Sequence, residues 1–149
     1  MSSAPAVFHK PTTAEKLFNR AFGFLVGLGI GPSYIYVLEV RGRNTGKMYS
    51  TPVDLLELEG KRYLVAPRGR TQWVRNAEAS GEVILKRGSK RETFRLRALN
   101  DVEKLPVLKA YLDNFKAAVQ RYFTVQAGSP TGAFAAVARS YPAFELLAK

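Results

Sequence analysis

"YIYVLEVRGRNTGKMYSTPV", residues 34–53, sets two strand-like runs either side of a turn, and its reading decides the fold. Tyr34 to Val40 is dense in β-branched and aromatic residues, the composition of a pleated, half-buried surface. Asn44, Thr45 and Gly46 let the backbone reverse, and a returning strand is expected from about Met48 to Leu58. An ordinary turn has no use for Arg41, Arg43 and Lys47 packed around those three residues, nor for hydroxyls at Ser50 and Thr51 immediately after. Short glycine-containing turns gather N–H groups that bind phosphate oxygens, and Arg43, Lys47 and the Thr45 hydroxyl would complete an anion cradle. A hairpin turn carrying solubilising charges is the plainer alternative.

Working outward, Glu59-Gly60 suits a hairpin turn, and "KRYLVAP" (61–67) reads as a third strand broken at Pro67 and Gly69. "TQWVRNAEASG" (71–81) has the pattern of a short helix. "EVILKR" (82–87) and "RETFRLRAL" (91–99) flank a turn in which Gly88-Ser89 fits the two-residue type with glycine first. Phe94, Leu96 and Ala98 alternate with Thr93, Arg95 and Arg97, giving one buried face and one wet cationic face. Leu105, Leu108, Leu112, Phe115, Val119 and Tyr122 mark an amphipathic helix over about 102–123, in which Pro106 is tolerable only in the first turn. "TVQAGSPTG" (124–132) reads as a loop, "AFAAVARSY" (133–141) as a short helix, and "PAFELLAK" (142–149) as extended or helical.

Upstream, residues 1–10 are expected to be a flexible tail. Thr12 and Glu15 suit a capping box, and Ala14, Leu17, Phe18, Ala21, Phe22, Leu25 and Leu28 recur at helical spacing until Gly29, Gly31 and Pro32. That helix either packs on the core or, with Lys10, Lys16 and Arg20, lies on an anionic membrane surface. A helix, a mostly antiparallel meander of at least five strands and closing helices give an α+β fold, a small barrel with packed helices, in one domain over 11–149.

A chain of 149 residues with 46% apolar content has enough material for one sizeable core. It has no cysteine, which removes thiolate chemistry and fits a reducing cytoplasm. His9 is the single histidine, so Ser-His-Asp catalysis and multi-histidine metal sites are set aside and no metal centre is expected. With acid–base side chains scarce, an enzyme of this composition leans on a bound cofactor. The net charge of +11 and pI near 10.1 call for an acidic partner: nucleic acid, an anionic membrane, or a small ligand bearing phosphates or carboxylates. The longest apolar run, 21–30, falls well short of the roughly 20 residues that span a bilayer, and the N-terminus lacks the pattern of a signal peptide.

The second informative stretch is "APRGRTQWVRNAEASG" (66–81). Pro67 and Gly69 end a strand as a helix begins, and helix-start donors suit an anionic or carbonyl group. Arg68, Arg70 and Arg75 add charge there. Trp73 offers a flat surface for an aromatic ring system, and it suits a core position equally well.

The order "VRGRNTGKMYSTPV" (40–53), then "RYLVAPRGRTQWVRNAEASGEVILKRG" (62–88), closely resembles the deazaflavin-dependent nitroreductase family, at motif level over residues 34–98. The resemblance implies a split β-barrel related to flavin-mononucleotide (FMN) oxidases. It also implies binding of the 8-hydroxy-5-deazaflavin coenzyme F420, a hydride carrier with a phosphate and an acidic oligoglutamate tail. By that likeness Arg43, Thr45, Gly46 and Lys47 hold the phosphate and tail, and Ser50, Thr51, Pro52 and Val53 run beside the ring. Ala66, Pro67, Arg68 and Gly69 complete the pocket, with Trp73, Arg75 and Asn76 on the following helix. The C-terminal tyrosines of the family's substrate pocket have no clear counterpart among Tyr111, Tyr122 and Tyr141. Tyr122 is taken as the catalytic choice, a substrate-pocket residue or proton donor, although its place on the apolar stripe also suits a core tyrosine.

The expected activity is hydride transfer from reduced F420 to an electron-poor organic acceptor: a quinone, an enone or a nitroaromatic. An FMN-dependent oxidoreductase of the same fold and a non-catalytic F420 carrier are the alternatives. Specific nucleic-acid binding is set aside because the aromatic residues follow buried-face periodicity rather than forming a stacking platform. The resemblance further implies a homodimer, and the N-terminal helix suits peripheral membrane contact with a lipid-soluble acceptor.

Overall fold

The computed structural model describes residues 32–149; the expected tail, the first helix and His9 lie outside the described residues. β1 (Ile35–Arg41) and β2 (Met48–Asp54) pair antiparallel without interruption from Ile35 opposite Asp54 to Arg41 opposite Met48. The returning strand does not run on to Leu58 as the composition suggested. Leu55 and Leu56 are both buried, which no two-fold alternation allows, and the Leu55 N–H turns to the Tyr34 carbonyl at 2.8 Å. The chain therefore bends, and β3 (Leu56–Leu58) pairs instead with β4 (Lys61–Val65). Glu59 and Gly60 both take positive φ, 52° and 79°, as a two-residue hairpin turn of type I′ requires.

Helix α1 (Gln72–Ser80) follows, ended by Gly81 in the left-handed conformation at φ 76°. β5 (Glu82–Arg87) and β6 (Lys90–Ala98) form the expected hairpin, with Gly88 at φ 59° in the turn. Phe94 is buried and Leu96 half-buried, while Arg95 and Arg97 are exposed; Ala98 departs from the alternation and is exposed, and Leu99 takes the buried place by donating to the Ala143 carbonyl at 3.0 Å.

α2 (Asp101–Val119) begins one residue earlier than the apolar stripe suggests, because Asn100 and Glu103 form a reciprocal capping box at 2.8 and 3.0 Å. Its Asn100 N–H and then Arg97 hold the Glu103 carboxyl below the usual glutamate range, so the cap loosens as pH falls through that range. Asn100→Ala should lower stability by about 1 kcal/mol, read from urea unfolding. Pro106 is the sixth helical residue, in the second turn rather than the first. The carbonyl it deprives is that of Val102, a residue 77% exposed, where water can serve instead. "AFAAVARSY" is no helix. Short 3₁₀ turns at Thr131–Phe134 and Ala138–Ser140 occupy that region, because the chain must fold back over α2.

β7 (Ala143–Ala148) resolves the ambiguous last segment as a strand in the sheet interior, between β6 and β4. Buried Glu145 is tolerated there because Arg97 reaches its carboxylate at 3.0 and 2.9 Å. The antiparallel order is β2-β1-β5-β6-β7-β4-β3. Its two edge strands, β2 and β3, are separated in the chain by Leu55 alone, so the sheet has to curl until its ends meet, and β2 does touch β4. This is the split β-barrel. Leu38, Val40, Leu64, Val83 and Phe94 fill one core; Leu108, Leu112, Phe123, Phe134 and Tyr141 build a second, where α2 packs. No described helix is long and apolar enough to cross a membrane.

Candidate active site

Curling leaves a cavity of about 890 Å³ where β2, the β1–β2 turn, the start of α1 and the end of α2 converge. The turn that raised the question of an anion cradle forms one end. Its Gly42 is closely covered: a Cβ there would sit 2.5 Å from the Tyr49 ring and 2.9 Å from Thr45 Oγ1, and both of those side chains would have to shift. Four of its N–H groups are already engaged. Gly42 N donates to the Lys47 carbonyl at 2.7 Å, Arg43 N to Asn76 Oδ1 at 3.1 Å, Gly46 N to the Gly42 carbonyl at 2.9 Å, and Lys47 N to Thr45 Oγ1 at 3.2 Å. What the turn offers is therefore charge more than a nest of N–H groups. Asn76 is buried on α1, and its Oδ1 also accepts from Arg43 Nη1 at 2.7 Å, fixing the guanidinium at the cavity wall.

Of the residues singled out by sequence, Arg43, Thr45, Ser50, Thr51, Pro52, Val53, Ala66, Pro67, Arg68, Trp73, Asn76 and Tyr122 line this one cavity. Gly46, Lys47, Gly69 and Arg75 lie outside its wall. Gly46, at φ 74°, accepts from Arg41 Nη1 through its carbonyl, and Lys47 is exposed. Gly69, at φ 83°, makes the bend before α1, and exposed Arg75 turns back to the Arg70 carbonyl at 3.3 Å. Trp73 satisfies both readings, packing 6.2 Å from Phe144 while lining the cavity. Tyr122 satisfies both readings as well, lining the cavity while packing against the second core. It sits in the 3₁₀ turn Gln120–Tyr122 that follows α2, half-buried, its hydroxyl accepting from Arg121, with the Arg68 guanidinium 5.8 Å from its ring centre.

Three further wall residues carry polar groups to which the sequence assigned no site role. Thr71 is the N-cap of α1, yet its buried Oγ1 makes no cap bond and has no partner among the described residues. Tyr111, on the apolar stripe of α2, is 3% exposed, and burial followed by the Asp54 and Tyr122 charges pushes its phenol well above 10. Asp54 ends β2, and desolvation raises its carboxyl to about 6. Thr71 lies within the 66–81 motif without a pattern of its own, and Tyr111 and Asp54 join it only where the sheet curls to a shared space.

The residues present fit an anionic, ring-bearing cofactor. The cavity lies in the roughly 300–1,000 Å³ range of cofactor sites, two arginines stand in its wall, and the orphan Thr71 hydroxyl lacks the partner that a ligand oxygen would supply.

The fold recurs in solved structures at low identity. A protein described as a domain-swapped dimer matches with TM-score 0.58 and 20% identity, covering 89% of this chain and 92% of its own. An F420-H2 dependent reductase (FDR-A) matches with TM-score 0.52 and 21% identity over 76% and 94%. A NimC/NimA family protein from Clostridium acetobutylicum gives 0.51 and 15% over 85% and 79%. No curated protein matches the chain. The model of one family, F420H(2)-dependent quinone reductase, matches residues 14–129, a span that takes in the turn, β2, α1 and Tyr122 together. The chain accordingly belongs to the F420H(2)-dependent quinone reductase family and is an oxidoreductase whose cofactor is the deazaflavin F420.

Proposed function

We propose that this reductase acts on an electron-poor organic acceptor, quinones first, with enones and nitroaromatics as the same electronic class. One observation carries the reading: the cavity holds Arg43 at the turn, and Pro52, Val53, Trp73, Tyr111, Val119 and Tyr122 give it an apolar and aromatic wall alongside. When bound, reduced F420 supplies the hydride. Arg43, with Thr45, Gly46 and Lys47 nearby, would hold phosphate and acidic tail, and Ser50 to Val53 would flank the ring. Ala66 to Gly69 would close the pocket, and Trp73, Arg75 and Asn76 would support it from α1. Tyr122 and Tyr111 would frame a flat acceptor and keep water from it, so the protein's contribution is orientation and exclusion of solvent.

Trp73 is the only tryptophan and lines the cavity, so its emission reports occupancy. Titration with F420 should quench it saturably, and menadione should then oxidise the reduced coenzyme only with enzyme present. Quenching without menadione, enone or nitroaromatic reduction would overturn the acceptor assignment. The same reading includes a cytoplasmic homodimer, supported by the exposed Met48 and Tyr49 on edge strand β2 and checked by light scattering. Membrane contact through the first helix is to be tested by co-sedimentation with anionic vesicles.

A further inference from the structure

Among the described residues, the cavity wall holds one carboxyl, Asp54. The other ionisable wall groups are Arg43, Arg68 and the phenols of Tyr49, Tyr111 and Tyr122. Tyr49 shares a 3.2 Å hydrogen bond with Thr45 at the turn, and the Tyr122 hydroxyl accepts from Arg121. Tyr111 faces Asp54 closely enough for the two to interact, yet burial keeps its proton in place. Asp54 differs from all of these. It is half-buried at the end of β2 opposite Ile35, with no hydrogen-bond or ion-pair partner for its side chain among the described residues. A carboxyl kept out of water without a cation is costly to ionise, and a site that retains one has a use for its proton.

We propose that Asp54 is the acid that completes the reaction by protonating the acceptor after hydride transfer. The inference rests on the acceptor reading above. Hydride brings two electrons and one hydrogen to a quinone, leaving a hydroquinone anion. The Asp54 O–H bond then breaks, a new O–H bond forms on that oxyanion, and Asp54, left as carboxylate, is reprotonated by water. The coenzyme is oxidised by two electrons and the acceptor reduced by two, so the step balances without another reagent. The position of the carboxyl supports this assignment, and its upward shift to about 6 by desolvation matches the task of an acid working near neutrality.

The test uses the full chain with Asp54→Asn and Asp54→Glu, F420 and menadione. F420 should quench Trp73 with a Kd within about twofold of wild type in both variants. In single turnover, wild-type reduction should slow as pH rises above about 6 and show a solvent deuterium effect. Asp54→Asn should be about 100-fold slower at pH 6 and flat with pH, and Asp54→Glu should recover part of the loss. A readout without coenzyme is the carboxyl carbon resonance of Asp54, which should titrate near pH 6 and vanish in Asp54→Asn. Normal F420 binding with a wild-type rate and pH profile in Asp54→Asn would overturn the proposal, as would an Asp54 carboxyl titrating at the ordinary aspartate value. If wild type binds F420 but reduces no acceptor, the acceptor reading falls first and the role of Asp54 falls with it.

Discussion

Tyr141→Ala is expected to destabilise the protein by about 3–5 kcal/mol, against about 1 kcal/mol for Tyr141→Phe, both read from urea midpoints. Tyr141 is fully buried in the second core, its ring stacked on Phe123 at 4.2 Å between centres. Truncation removes that contact and leaves a cavity beside Phe134, which is also fully buried. Phenylalanine keeps the stack and loses only the hydroxyl, which donates to the Tyr122 carbonyl at 2.6 Å. That bond ties the second core to the wall of the active cavity, so Tyr141→Phe should disturb Tyr122 more than its small stability cost suggests. Burial also pushes the Tyr141 phenol up to about 12. The unfolded chain then loses this proton first, so stability declines as pH rises from about 10 towards 12. Tyr141→Phe should remove this part of the alkaline decline.

The second large effect concerns the coenzyme. Arg43→Ala should weaken F420 binding by about 10- to 100-fold, the value of one or two charge-assisted hydrogen bonds, measured by Trp73 quenching. Asn76→Ala should cost about tenfold without touching the ligand, because its buried Oδ1 holds both the Arg43 N–H and the guanidinium. Lys47→Ala should cost about threefold and lose that effect at high salt, since Lys47 is exposed outside the cavity wall. Equal losses for Lys47→Ala and Arg43→Ala would mean that the turn acts as a diffuse charge and that Asn76 has no positioning role.

Sequence carries the local parts of this architecture well. Asn44-Thr45-Gly46, Glu59-Gly60 and Gly88-Ser89 mark the turns because backbone reversal needs those residue types, and the α1 boundaries follow from Pro67, Gly69 and Gly81. It carries less where burial is two-sided. Ala143 to Leu146 are buried in succession, Glu145 included, so neither the two-fold alternation of a strand nor the spacing of a helix shows in the segment. The site divides similarly. Arg43, Ser50 to Val53, Ala66 to Arg68 and Trp73 stand in recognisable motifs, whereas Tyr111 and Asp54 reach the cavity only through the curl imposed at Leu55.

β7 is the joint between the two halves of the sheet. Without β7 the other described strands can form only two partial sheets, β2-β1-β5-β6 and β4-β3, with the facing edges of β6 and β4 unpaired. Closure of the sheet therefore depends on β7, and a chain cut short before Ala143 would expose two open edges to other chains. The coenzyme-binding turn, early in the chain, thus belongs to a sheet that only a much later segment can close.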